Sequence, residues 1–96
     1  MKVRELTVAL AELDEAIEHY QAIDVRLAAR LLDEVDAGKQ AIARFPNAWK
    51  RLPSGVRAFP LRRFPYTLLY MAERDEILIV AYAHQNREPR YWEGRL

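Results

Sequence analysis

A chain of 96 residues with a formal charge of +1 and 51% apolar residues can build one core of its own, and it is too apolar to stay disordered. It is still small enough for a partner to supply part of its stability. The absence of cysteine excludes disulfides, thiolate chemistry and cysteine-built zinc sites. The two histidines, His19 and His84, lie far apart with no carboxylates at ligand spacing, so neither a metal nor another cofactor is expected.

No window approaches the roughly 20 apolar residues of a membrane span, and the N-terminus lacks the apolar stretch of a signal peptide. One cytoplasmic domain over residues 1–96, with no membrane partner, is the expectation. The near-neutral total hides a split. Residues 1–48 carry six Lys/Arg against nine Asp/Glu, a net of −3, whereas residues 49–96 carry Lys50 and eight arginines against five acids, a net of +4. An anionic partner is therefore to be sought on the C-terminal half.

Lys2 to Leu6 is either a short strand or the lead-in to a helix. Leu10, Leu13, Ile17 and Tyr20 then recur at spacings of three and four, with Glu12, Asp14, Glu15 and Glu18 on the other face, which predicts an amphipathic helix from about Thr7, its N-cap, to Ala22. Asp24 is a natural N-cap for a second helix, whose stripe of Leu27, Leu31, Val35, Ile42 and Phe45 runs until Pro46 forbids continuation. A link of about two residues makes the pair an αα-hairpin. Gly38, on or near that stripe, lowers helix propensity by about 1 kcal/mol but permits close approach of another backbone.

Beyond Asn47 the period changes from helical to extended. Trp49 is expected as a lid over the apolar layer, and Pro53-Ser54-Gly55 marks a turn. Val56 to Arg63 reads as a strand with Arg57, Phe59, Leu61 and Arg63 on one face, and Pro60 places it at an outer position or a bulge. Tyr66 to Ala72, apolar on both parities, reads as a more central strand. Glu73–Glu76 is a polar hairpin loop, and Ile77 to Ala83 the return strand. The predicted class is α+β, in the order β-α-α-β-β-β. The N-terminal helical hairpin packs on a small curved antiparallel sheet, and the last three strands form a meander.

No Gly-rich phosphate loop, serine elbow or carboxylate pair flanks the basic residues. What remains is a set of arginines with a histidine and a tyrosine. Arg57, Arg62 and Arg63 come from the first meander strand, and His84, Arg87, Arg90 and Tyr91 from the end of the last. If those strands are neighbours, both groups meet on one side of the sheet. There they could grip phosphates, stack a base on Tyr91 or Trp92, and move a proton through His84. The duller readings are solvated edge charges for Arg57 and Arg62, a hydrogen-bonded strand end for His84, and burial against the sheet for Tyr91 and Trp92.

Three segments together resemble the RelE/ParE superfamily, the toxins of bacterial type II toxin-antitoxin modules. They are the acidic first helix Ala9–Tyr20, the segment Val56–Tyr66 with its Phe64-Pro65-Tyr66 element, and the ending His84-x-x-Arg87-x-Pro89-x-Tyr91-Trp92. The resemblance covers nearly the whole chain. It implies a small growth-arresting, plasmid-stabilising toxin neutralised by a cognate antitoxin encoded by a neighbouring gene. RelE-like members cut ribosome-bound mRNA with a cluster of lysines and arginines and a C-terminal tyrosine, whereas ParE-like members lack that cluster and poison DNA gyrase.

On the nuclease alternative, a metal-independent endoribonuclease, His84, Arg87 and Tyr91 would be catalytic and Arg57 or Arg62 would stand for the basic cluster. Otherwise Arg57, Arg62, Arg63, Arg87 and Arg90 are expected to bind target or antitoxin. No lysine follows Lys50, a departure from the nuclease pattern that turns the expectation toward the gyrase-directed, non-enzymatic kind.

Overall fold

The computed structural model describes residues 1–96. Its elements are β1 (Lys2–Glu5), α1 (Thr7–Ile23), α2 (Val25–Arg44), β2 (Lys50–Arg51), β3 (Arg57–Pro60), β4 (Tyr66–Ala72) and β5 (Glu76–His84), followed by a 3-10 turn at Glu93–Arg95. The strands form one sheet in the order β1-β5-β4-β3-β2. β2 to β5 make an antiparallel meander, while β1 lies parallel to β5, with Val3 opposite Ile77 and Glu5 opposite Ile79. The opening segment is therefore a strand and the sheet is mixed, not wholly antiparallel. A parallel pair cannot be closed by a hairpin. Both helices and the meander separate β1 from β5, so no local pattern announces the pairing. β2, two residues long, is too short for any period to show.

Thr7 is the first helical residue and not the cap. Leu6 holds the N-cap position in extended conformation without a side-chain cap bond. Its amide still donates to Ile79 O, continuing the sheet, while its carbonyl accepts from Leu10 N. A residue shared between strand and helix must serve the sheet, which displaces the polar cap. Asp24 alone links the helices. Its carboxylate accepts from Arg26 N at 2.9 Å, and its amide donates to Tyr20 O at 2.8 Å, so one residue ends α1 and begins α2.

α1 and α2 cover one face of the sheet. Leu31, Val35, Ile42, Leu68, Ile77 and Ile79, each at most 1% exposed, carry that contact at about 1.5–3 kcal/mol apiece. Phe45 does not join them. It lies past the end of α2 and is 55% exposed, because the chain leaves the helical region ahead of Pro46, with Phe45 at φ −132° and ψ 67°. Gly38 is buried for a different reason from the one expected. A Cβ there would stand 2.9 Å from Phe59 Cε1, so the close approach is made by an aromatic ring and not by backbone.

β3 ends at Pro60, short of the expected Arg63. Leu61 and Phe64 both turn into the helix-facing core, and a single strand cannot point both inward across an odd spacing. The chain therefore breaks into a turn over residues 61–65, while Arg57 and Phe59 keep the helix-facing side. Pro60 lies beyond the reach of β2, which pairs only with Arg57 and Ala58, so its missing donor faces open space.

One irregularity shapes the other face. Leu69 pairs with Ala81 but Tyr70 pairs with Ile79, which leaves Val80 as an extra residue in β5. Val80 and Ala81 consequently share the far face with Val56, Leu69 and Trp92, and Tyr82 returns to the helix side. No helix covers this second face. The C-terminal segment does, with Trp92 only 5% exposed.

Candidate functional site

β5 is apolar from Ile77 to Ala83 because both of its faces are covered, and it ends at His84, where the polar residues begin. The exit is pinned by Gln85 N to Pro65 O at 2.9 Å and by Arg87 N to His84 O at 3.0 Å. This geometry brings His84, Arg87 and Tyr91 together. The His84 ring stands edge-on to Tyr66 with centroids 5.0 Å apart, and its Nδ1 accepts from Asn86 N at 3.0 Å. With Nδ1 an acceptor, the proton of the neutral ring sits on Nε2. In this tautomer the Nε2–H is a donor and Nδ1 is engaged with the backbone.

Arg87 stacks its guanidinium 3.9 Å above the Tyr91 ring and makes no other side-chain contact with a protein acceptor. The Tyr91 hydroxyl donates to Oε2 of Glu12 on α1. The same carboxylate accepts from Arg95 at 2.8 and 3.0 Å and from Tyr82 N at 3.1 Å. Burial pushes the Tyr91 phenol well above its ordinary range, the hydrogen bond and charge of Glu12 add to this, and Arg95 and Arg87 oppose it more weakly. Tyr91 therefore keeps its proton at neutral pH, fixed in a bond to a carboxylate. A hollow of about 280 Å³ between α1 and the end of β5 is bordered by Glu15, His19, Tyr66 and His84.

The arginines separate into two kinds. Arg57 does not meet His84: β4 lies between β3 and β5, and Arg57 is paired with Tyr70 whereas His84 is paired with Tyr66, an offset of about 13 Å along the strands. Its guanidinium donates to Trp49 O at 2.9 Å and Asn47 O at 3.3 Å, so it staples the loop after α2. Arg90 pairs with Glu93 at 3.2 Å and has a φ of 65°, an uncommon conformation for a side chain of its size.

Arg62 and Arg63, by contrast, use only their backbone amides, which both donate to the Glu34 carboxylate. Their guanidinium groups are exposed and form no ion pair. They stand between a groove of about 680 Å³, whose floor includes Gly38, Trp49 and Phe59, and a second hollow reaching Tyr66 and Gln85. One end of the sheet thus presents Arg62, Arg63 and Arg87, unpaired by any acid.

By periodicity Glu12 belongs to the solvated face of the first helix. Its side chain is only 12% exposed, and it is the residue on which the C-terminal segment hangs. The available signal was its place beside the stripe: Ala9, Leu13 and Ala16 are buried, and small residues on both sides let α1 lie close to the sheet, taking position 12 with them. Glu5 and Glu34 were likewise drawn in. Glu5 accepts from Tyr82 Oη and Lys39 Nζ, each at 2.6 Å.

Residues 6–89 match the family described as the ParE toxin of the type II toxin-antitoxin system parDE. A protein of Sinorhizobium fredii (strain NBRC 101917 / NGR234) that carries the name of a toxin, Y4kP, is 33% identical over 87 residues, spanning 88% of this chain and 90% of its own. Among solved structures, a chain of the chromosomal ParDE system from P. aeruginosa superposes with a TM-score of 0.75 at 22% identity, over 88% of this chain and 95% of that one. This last likeness speaks for the fold.

Proposed function

Since this chain belongs to the ParE toxins of type II toxin-antitoxin systems, we propose that it arrests growth as a non-enzymatic poison of DNA gyrase. One observation favours this over mRNA cleavage: the acceptor nitrogen of His84 and the hydroxyl of Tyr91 are both held in internal hydrogen bonds. Metal-free RNA cleavage needs a base for the attacking hydroxyl and an acid for the leaving oxygen. His84 Nδ1 is occupied by Asn86 N, and Tyr91 donates to Glu12. What the surface offers is binding: three unpaired guanidinium groups suited to carboxylates or phosphates, two of them, Arg62 and Arg63, lining a groove that Trp49 and Phe59 share with Arg30, Asp33 and Glu34.

The cognate antitoxin, encoded beside the toxin, docks an acidic and apolar segment along that groove and against Arg62 and Arg63, and so conceals the same end of the sheet. Gyrase works in the cytoplasm, and no helix of this chain is long and apolar enough to cross a membrane. Loss of the antitoxin then frees the toxin to arrest plasmid-free cells, which is the stabilising role. The test pairs a supercoiling assay on purified gyrase with primer extension on translated mRNA. Inhibited supercoiling with accumulated cleaved DNA is expected, and cuts in the ribosomal A site with gyrase unaffected would replace this reading with the nuclease one.

A further inference from the structure

β1 covers the outer edge of β5 only as far as Ile79, where Leu6 N makes the last bond. From Val80 onward β5 has no neighbouring strand on that side, and an open edge normally invites pairing with another chain. Here side chains fill it. Val80 O accepts from Arg95 at 2.9 Å, and Tyr82 N donates to Glu12 at 3.1 Å. Glu12 and Arg95 face each other in a two-pronged pair, with side chains 12% and 16% exposed. This pair ties α1, the edge of β5 and the C-terminal segment together at one point.

The third bond of Glu12 concerns the exposed surface. It holds the hydroxyl of Tyr91, and the Arg87 guanidinium is stacked over the Tyr91 ring. A long exposed arginine ordinarily samples many rotamers, and ordering it on binding costs side-chain entropy. Stacking on a ring tethered by its hydroxyl to Glu12 lowers that cost in advance. We propose that Glu12 is the positioning residue of the target-binding surface: acting through Tyr91, it fixes the direction in which Arg87 is presented. This rests on the reading of Arg87 as a target contact.

The experiment measures gyrase poisoning and growth arrest by the parent, Glu12→Gln, Tyr91→Phe, Arg87→Ala and the double variant Glu12→Gln/Arg87→Ala, together with the NMR shifts of the Arg87 side chain in each. Arg87→Ala is expected to lower potency about tenfold, and Glu12→Gln and Tyr91→Phe each about three- to tenfold. In the Arg87→Ala background Glu12→Gln should cost nothing more, because its effect passes through Arg87. A purely structural role would lower potency in both backgrounds alike, and that outcome overturns the proposal. So does an Arg87→Ala variant as potent as the parent.

If the parent poisons no gyrase and arrests no growth, the functional reading fails by itself and the positioning claim is decided by NMR. The Arg87 side-chain protons nearest the guanidinium, which lies over the Tyr91 ring, should be shifted upfield in the parent and relax toward free-arginine values in Glu12→Gln and Tyr91→Phe. An unchanged upfield shift in both contradicts it.

Discussion

The Tyr91 hydroxyl donates its hydrogen bond to Glu12, a residue of the first helix. That contact joins the ends of the chain and converts what looks like a C-terminal tyrosine ready for chemistry into a support for its neighbours. Glu12 accepts from Arg95 and from a strand amide as well, so removing it leaves three donors without a partner in a largely buried place.

Glu12→Ala is accordingly expected to destabilise the fold by about 3 kcal/mol, the range for breaking one side of a buried ion pair. Chemical denaturation measures this as a drop in midpoint. A loss below about 0.5 kcal/mol, the level of an ordinary surface substitution, would show that the cluster is dispensable.

Stability should fall as pH rises above the ordinary tyrosine value of 10.0, since Tyr66, Tyr70, Tyr82 and Tyr91 are all shifted upward in the fold, chiefly by burial. The folded state holds these protons more tightly than the unfolded chain. The stabilisation is therefore complete below that pH and is lost as pH climbs toward the folded values. Tyr82→Phe and Tyr91→Phe should each flatten the alkaline limb of a stability-against-pH curve, and an unaltered slope in both would contradict the assignment.

Gly38→Ala sets two effects against each other. Helix propensity favours alanine by about 1 kcal/mol, but the added Cβ would stand 2.9 Å from Phe59, whose ring is held edge-on by Trp49 at 4.7 Å. Overpacking of this kind costs about 1–3 kcal/mol, so a net loss near 1 kcal/mol is expected in thermal or chemical unfolding. With Phe59→Leu already in place, the same substitution should become stabilising.

The arginines should part company under substitution. Arg57→Ala frees the carbonyls of Asn47 and Trp49 and is expected to lower stability by about 1–2 kcal/mol while leaving potency per folded molecule unchanged. Arg62→Glu combined with Arg63→Glu should leave the unfolding midpoint within about 0.5 kcal/mol but slow antitoxin association about tenfold at low salt, less so at high salt. Binding kinetics at two ionic strengths distinguish this from a shared structural role.

These contrasts mark where the sequence was informative. Asp24, Pro46 and the two-parity apolar run Tyr66–Ala72 act through neighbours a few residues away, so the helix junction, the helix end and the central strand could all be read directly. Glu12 could not, because its partners Tyr82, Tyr91 and Arg95 are distant in the chain and are brought close only by the parallel docking of β1 and the course of the C-terminal segment. The expected meeting of Arg57 with His84 depended on strand order, and β4 lies between them. Arg87 was singled out from the sequence, whereas the ring beneath it and the carboxylate behind that ring required the fold.

The most direct measurement is a DNA cleavage assay with purified gyrase, the toxin and supercoiled plasmid, run with and without the cognate antitoxin. The proposal expects cleaved plasmid to accumulate with rising toxin, and the antitoxin to abolish it. Gyrase that supercoils normally at a large molar excess of toxin would contradict it.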